Sequence, residues 1–227
     1  MENTTTYQIV CPHCGATKLV AASDTPWYKT DAVLWSDGRI ESDSWCEPAR
    51  TQQCPSCKRY FILPGKDERK EVQLPCDDTG QLPLQSLKQA IAEFSGDDKV
   101  VEWARNEAWQ AYNAEYRDVQ EEEIPDEDKE FNCSNMQWLL DYYRRETLNY
   151  SFLKFELLRL LGYTEEYKKL LADMTFERFV EWWCARFKKR GVTDYSPDEE
   201  LLKRLYSRRV KQLTESLQKP MRPFEDE

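Results

Sequence analysis

The sequence predicts an α+β protein: a small zinc-ribbon-like β domain followed by an all-α region of helical bundle or tetratricopeptide-like hairpins. Three observations predict it. Cys11-Pro-His-Cys14 and Cys54-Pro-Ser-Cys57 are two matched C-x-x-C pairs among short β-like stretches. Beyond Leu84, apolar residues recur at helical spacing. Pro64-Gly65 and a polar stretch separate the two patterns.

The β-like stretches are Tyr7–Val10, Ala32–Trp35, Arg39–Ser42 and Tyr60–Leu63. Asp37-Gly38 between two of them is a two-residue hairpin signal, because a type I′ turn needs positive φ at both central positions. Residues 1–65 are therefore expected to form the ribbon, and 66–81, opening with Lys66-Asp-Glu-Arg-Lys-Glu71, a linker.

Leu84, Leu87, Ile91 and Phe94 share one helical face. Ser95-Gly96-Asp97-Asp98 stops that helix and offers an N-cap to the next. Val101, Ala104, Ala108, Tyr112 and Tyr116 line the second helix, so 82–118 reads as a helical hairpin. Residues 119–133, with Glu121-Glu-Glu-Ile-Pro-Asp-Glu-Asp-Lys-Glu130, read as an acidic linker. Residues 134–219 are expected to be a helical bundle. Ser134 can cap a helix carrying Met136, Leu139, Leu140 and Tyr143. Gly162 suits the left-handed position after a helix, and Thr164 can cap the next. Phe176, Phe179, Val180, Trp183 and Phe187 form a further stripe closed by Gly191. Ser196-Pro197-Asp198-Glu199 is a capping box for a last helix with Leu202, Tyr206, Val210, Leu213 and Leu217. Residues 220–227 read as a tail.

The 227 residues can bury a real core, and a 13% aromatic share argues against disorder despite 33% charged residues. No apolar run is long enough for a membrane span, and Met1-Glu-Asn-Thr-Thr-Thr-Tyr7 has no secretory pattern. A cytoplasmic location is expected. There, eight cysteines are thiols and metal ligands rather than disulfides. The net charge of −10 is concentrated in residues 76–132, at −11, against −1 before and +2 after. Such acidity repels phosphate backbones, so general nucleic-acid binding is disfavoured.

Two residues between cysteines let both thiolates of a pair reach one ion from a tight turn, and zinc takes four such soft ligands tetrahedrally. Cys11, Cys14, Cys54 and Cys57 are therefore the expected zinc ligands. The 39 residues between the pairs exceed the roughly 15–20 of compact ribbons. That insert contains Trp27, Trp35 and Trp45, so it is expected to be folded. Structural zinc contributes on the order of 10–16 kcal/mol in small zinc domains, enough to stabilise a module with little aliphatic core. Other arrangements are a thioredoxin-like C-x-x-C, which wants a βαβ setting, and two metal sites drawing in Cys46, His13 or Cys76. His13, the one histidine, is expected to face solvent, and Cys184 to be a packing residue.

The order of knuckle, long insert, knuckle with aromatics (Cys54-Pro-Ser-Cys57-Lys-Arg-Tyr60-Phe61), then helices resembles a group of uncharacterised bacterial proteins. These pair an N-terminal zinc ribbon with tetratricopeptide-like helices. Trp109-Gln-Ala-Tyr-Asn113-Ala-Glu-Tyr-Arg117 is similar to that group's aromatic-Tyr-Asn-x-x-Arg helix. Phe155-Glu-Leu-Leu-Arg-Leu-Leu-Gly162-Tyr-Thr-Glu-Glu-Tyr167-Lys-Lys-Leu170-Leu171 resembles the Leu-Gly-x-x-x-Glu-Ala core of a tetratricopeptide hairpin. It departs at Tyr167, where a small residue is usual, which puts tight packing of the two helices in question. The resemblance implies zinc binding and an interaction role with a protein partner, and supplies no activity.

An enzyme is not expected. All-cysteine zinc sites are closed to substrate, and no HExxH, Gly-rich phosphate loop or Gly-x-Ser-x-Gly occurs. The leading expectation is a non-enzymatic zinc-stabilised interaction module without membrane contact. The alternatives are nucleic-acid binding through the ribbon, using Lys58, Arg59 and neighbouring Trp and Tyr, with a separate basic cluster of Lys188, Lys189, Arg190, Lys203, Arg204, Arg208, Arg209 and Lys211 in the last helices, and a zinc-redox switch.

Overall fold

A computed structural model describes residues 4–24, 33–34, 39–42, 46–65, 68–76, 78–94, 96–145, 152–188 and 199–216. Small antiparallel sheets precede a helical region, so the α+β layout is the observed one. The chain forms two compact units that divide after Asn135.

In the first unit, β1 (Thr4–Val10) pairs antiparallel with β2 (Thr17–Ser23), from Thr4 opposite Ser23 to Val10 opposite Thr17. β3 (Val33–Leu34) and β4 (Ile40–Glu41) pair across the insert, and the Asp37-Gly38 turn between them lies outside the described residues. Trp27, Trp35 and Trp45 lie outside them too. β5 (Thr51–Gln53) pairs with β6 (Tyr60–Ile62). The stretch expected to be linker supplies β7 (Lys70–Val72), which joins the free edge of β1 with Tyr7 opposite Glu71. A polar strand is tolerated there because β7 is an edge whose side chains meet water. Tyr7, Ile9, Val20, Phe61 and Leu63 form the buried core of this β region together with Cys11 and Cys54.

Helices α1 (Leu84–Glu93) and α2 (Asp98–Tyr116) follow, and the Asp97 side chain accepts from Lys99 N at 2.9 Å, the expected N-cap. Leu84, Leu87 and Ala108 bury on the expected faces, and Trp109 is buried completely. α3 (Asp126–Arg145) begins eight residues before the expected cap. Pro125 precedes it, and Asp126, Glu127 and Asp128 fill its first turn, where carboxylates are favoured by the helix dipole. The acidic run is thus helical from Asp126 on. Ser134 is mid-helix and its hydroxyl donates to Phe131 O at 2.8 Å.

The second unit, from Met136, contains α4 (Phe152–Leu160), α5 (Thr164–Ala172), α6 (Phe176–Lys188) and α7 (Glu199–Ser216). Gly162, at φ +76°, ends α4 as expected. Gly162 N donates to Arg159 O at 3.2 Å and Tyr163 N to Leu158 O at 2.9 Å, the paired bonds of a Schellman turn. Thr164 is the first helical residue rather than a cap. Tyr167 is fully buried, its ring edge-on to Phe155 at 5.3 Å, and its hydroxyl donates to Leu213 O at 2.6 Å. The large residue is therefore accommodated by a polar anchor to α7. Gly191, residues 196–198 of the expected capping box and Leu217 lie outside the described residues, and Glu199 opens α7.

Candidate metal centre

Each C-x-x-C pair is the turn of a β-hairpin. Cys11–Ala16 connects β1 to β2, and Cys54–Arg59 connects β5 to β6. The two turns are built alike. Cys11 N donates to Ala16 O at 2.8 Å and Gly15 N to Cys11 O at 2.9 Å. In the second turn, Cys54 N donates to Arg59 O and Lys58 N to Cys54 O, both at 3.0 Å. The residue after the second cysteine has positive φ in each: Gly15 at +75° and Lys58 at +62°. This curl lifts both sulfurs of a pair to the same side.

Four sulfurs meet there, all within 4.8 Å of one another. Cys11 and Cys57 Sγ are 3.8 Å apart, and Cys14 and Cys54 Sγ are 3.6 Å apart. Tetrahedral zinc with bonds of about 2.3 Å to sulfur would set its ligands about 3.8 Å apart, so the geometry fits such an ion. The four residues that the sequence singled out thus come together in a cluster that could hold a metal ion. Cys11 and Cys54 are buried in the β core, Cys57 is half-buried and Cys14 is exposed.

Backbone N–H groups point at the sulfurs. His13 N donates to Cys11 Sγ and Cys57 N to Cys54 Sγ, each at 3.4 Å. The latter bond holds the Cys54 thiol down to about 6 despite its burial. Cys57 accepts from the Arg59 N–H, yet burial and the sulfurs of Cys54, Cys14 and Cys11 push its thiol up to about 12. Four neighbouring thiols thus resist ionising together, and a divalent cation removes that repulsion.

His13 is exposed, as expected, and its Nε2 also lies 3.0 Å from Tyr60 O, so its ring reaches from the first knuckle to the second hairpin. Sequence spacing gave no signal for this, because the contact crosses 47 positions. The other cysteines stand outside the cluster: Cys46 Sγ accepts from the Ser23 hydroxyl at 3.7 Å, and Cys76 Sγ donates to Asp78 O at 3.7 Å. Cys133 is exposed on α3, and Cys184 is half-buried on α6.

The second hairpin is tied to α1 and α2 by side chains that sequence reasoning missed. Glu107 accepts from Arg50 N at 2.5 Å and Thr51 N at 3.0 Å, taking the place of a neighbouring strand. Tyr60 OH donates to Gln89 Oε1 at 2.9 Å, and Arg59 Nε to Glu93 Oε1 at 3.0 Å. Arg59, one of the candidate nucleic-acid contacts, is thus ion-paired, while Lys58 is exposed. In the second basic cluster Lys203 pairs with Glu199 and Glu200, and the side chains of Lys188, Arg208 and Arg209 lie outside the described residues, as do Lys189 and Arg190 entirely.

Fold and site define a protein with a small β region, in which four cysteines form a cluster that could hold a metal ion, followed by helices. No protein-family model, curated protein or solved structure matches the chain. No helix among the described residues is long and apolar enough to cross a membrane.

Proposed function

We propose that Cys11, Cys14, Cys54 and Cys57 hold one structural zinc ion, and that the chain is a non-enzymatic protein–protein interaction module organised by it. The carrying observation is the spacing of the four sulfurs, 3.6 and 3.8 Å across the two cross-knuckle pairs. Soft thiolates in a tetrahedral set select zinc over the hard cations, and four protein ligands leave no open position for a substrate. The bound ion cross-links two hairpins. Cys11 and Cys54 anchor it to the β core, the N–H donors neutralise part of the thiolate charge, and the His13–Tyr60 contact holds the knuckles face to face. A reducing cytoplasm keeps such thiols available.

The interaction role is supported by the helices that follow the site. On α3, Trp138 and Tyr142 stack at 5.5 Å, both half-buried, and Arg145 lies over the Tyr142 ring at 5.8 Å. Amphipathic ring-and-guanidinium surfaces of this kind are the side-chain types enriched where proteins meet.

Metal analysis of the purified chain beside its Cys54→Ser variant tests the zinc reading. One zinc per chain, lost in the variant together with β-sheet signal, is expected. Two ions or none overturns it. Cross-linking of the full chain in extract, followed by mass spectrometry, tests the interaction role. A reproducible partner cross-linked at α3 is expected, and recovery of the chain alone counts against the role.

A further inference from the structure

The four sulfurs are not equivalent. Cys11 and Cys54 are 3% and 0% exposed, Cys57 is half-buried, and Cys14 is exposed. The backbone donors are as unequal. N–H groups of His13 and Cys57 donate to the sulfurs of Cys11 and Cys54, each at 3.4 Å, and no backbone N–H of the described residues donates to Cys14 Sγ. A thiolate that accepts a hydrogen bond shares its lone pair with the proton, and a buried one is shielded from reagents. Burial and these donors protect Cys11 and Cys54, partial burial shields Cys57, and the exposed Cys14 is the open corner.

We infer that Cys14 is the reactive corner of the site, at which hydroperoxides and soft electrophiles attack, with Cys54 as the resolving thiolate. The inference rests on the zinc reading above. The Cys14 thiolate attacks the distal oxygen of a hydroperoxide; the O–O bond breaks, and the leaving oxyanion takes a proton to become water or an alcohol. Sulfur is oxidised to a sulfenic acid and the peroxide is reduced. Cys54 Sγ, 3.6 Å away, then attacks the Cys14 sulfur and expels hydroxide, which is protonated to water. The disulfide formed joins the two knuckles across 40 positions instead of closing a small ring within one. Cys11 and Cys57 alone make a weak two-ligand site, from which a chelating dye takes the metal. The hairpins then remain linked through sulfur rather than through the ion.

The test uses the full zinc-loaded chain, its metal content measured first. Limiting N-ethylmaleimide or hydrogen peroxide is added, zinc release is followed with a chelating dye, and each cysteine is quantified by peptide mass spectrometry. Among the four cluster cysteines, Cys14 is expected to be modified first, with zinc released mole for mole with its loss. Peroxide is expected to yield a Cys14–Cys54 disulfide. Cys46, Cys76, Cys133 and Cys184 are counted separately, so free thiols do not obscure the order. Earlier modification of Cys11, Cys54 or Cys57 in a chain carrying one zinc overturns the inference and leaves the zinc reading standing, as does a disulfide within either knuckle. A chain that purifies without zinc overturns the reading beneath it, and this inference with it. Cys14→Ser need not fold, so the order within the unmodified chain decides.

Discussion

Lys58 holds a backbone conformation that its own Cβ opposes. Its φ of +62° corresponds to Gly15 at +75° in the first knuckle, and the turn bonds around the two are the same. A left-handed residue with a side chain costs roughly 1–2 kcal/mol, of which glycine gives back part through its freer unfolded chain. Lys58→Gly is therefore expected to raise stability by about 0.5–1 kcal/mol, read as a higher chemical-denaturation midpoint of the zinc-loaded chain. An unchanged or lower midpoint would contradict the strain. Gly80 is the opposite case. Its φ is +71°, and a Cβ there would run into the side-chain amide of Gln52. That amide is fully buried, donates to Ala49 O at 2.6 Å and accepts from Lys18 at 2.9 Å, beside the second knuckle strand. Gly80→Ala displaces it and leaves polar atoms unpaired, at a cost of about 2–3 kcal/mol in the same assay. These residues also mark what the sequence conceals. The cysteines announce themselves by spacing, whereas Gly80 matters only because Gln52 sits over it, a pairing across 28 positions that no local pattern encodes.

Elements are joined through carboxylates that a sequence presents as solvent-facing charge. Glu107 docks α2 on β5 by accepting two main-chain N–H groups, and burial pushes its carboxyl above the usual glutamate range. Glu107→Ala orphans both N–H groups next to the strand leading into Cys54. A loss of about 2–4 kcal/mol is expected, with a faster zinc release to a chelator. A silent Glu107→Ala would show that the dock carries no load. Asp128 ties α3 to α1 and α2. Burial alone would raise its carboxyl, but the hydrogen bonds from Lys88 and from Tyr116, the latter at 2.6 Å, hold it below the usual aspartate range. With the folded value depressed, the stabilisation is complete above the ordinary aspartate range of about 3.9 and is lost as pH falls through the folded value. Asp128→Asn is expected to cost about 2–3 kcal/mol at pH 7 and to flatten the acid limb of the stability curve, followed by circular dichroism between pH 7 and 2. An acid limb equal to that of the unmodified chain would sink the assignment. The helices were legible because their apolar faces repeat locally at 3.6 residues. β2 and β7 were not, since Thr17-Lys-Leu-Val-Ala-Ala-Ser23 and Lys70-Glu-Val72 do not alternate cleanly and owe their strand state to β1, which lies between them. The start of α3 was missed because like charges favour linkers in general but are stabilising in a first helical turn.

Across the whole molecule, the two kinds of core depend on different forces, and chelation separates them. The β region of the first unit buries few large aliphatic side chains, and two of its core positions are Cys11 and Cys54 of the four-cysteine cluster. On the proposed zinc reading, removing the ion leaves four crowded thiols and takes away the metal link between hairpins that share no strand pairing among the described residues. The second unit buries Leu139, Leu140, Phe155, Leu157, Leu158 and Tyr167 completely, with no cysteine among them and no candidate metal group among its described residues. Its stability comes from apolar burial, at about 25 cal/mol per Å², which a chelator does not touch. Thermal unfolding of the full chain should therefore resolve into two transitions. Adding a strong zinc chelator is expected to lower one of them, by tens of degrees or to complete loss, since structural zinc contributes on the order of 10 kcal/mol. The other should stay within a few degrees. Near-ultraviolet signal from Tyr7, Tyr60 and Phe61 should follow the first transition, and far-ultraviolet helical signal should persist after chelation. Readdition of zinc should restore the lost transition, because the ligands are supplied by hairpin turns that re-form locally. A single transition that moves as one with chelation would show instead that the helices of the second unit depend on the metal, and the division of forces between the two units would fail.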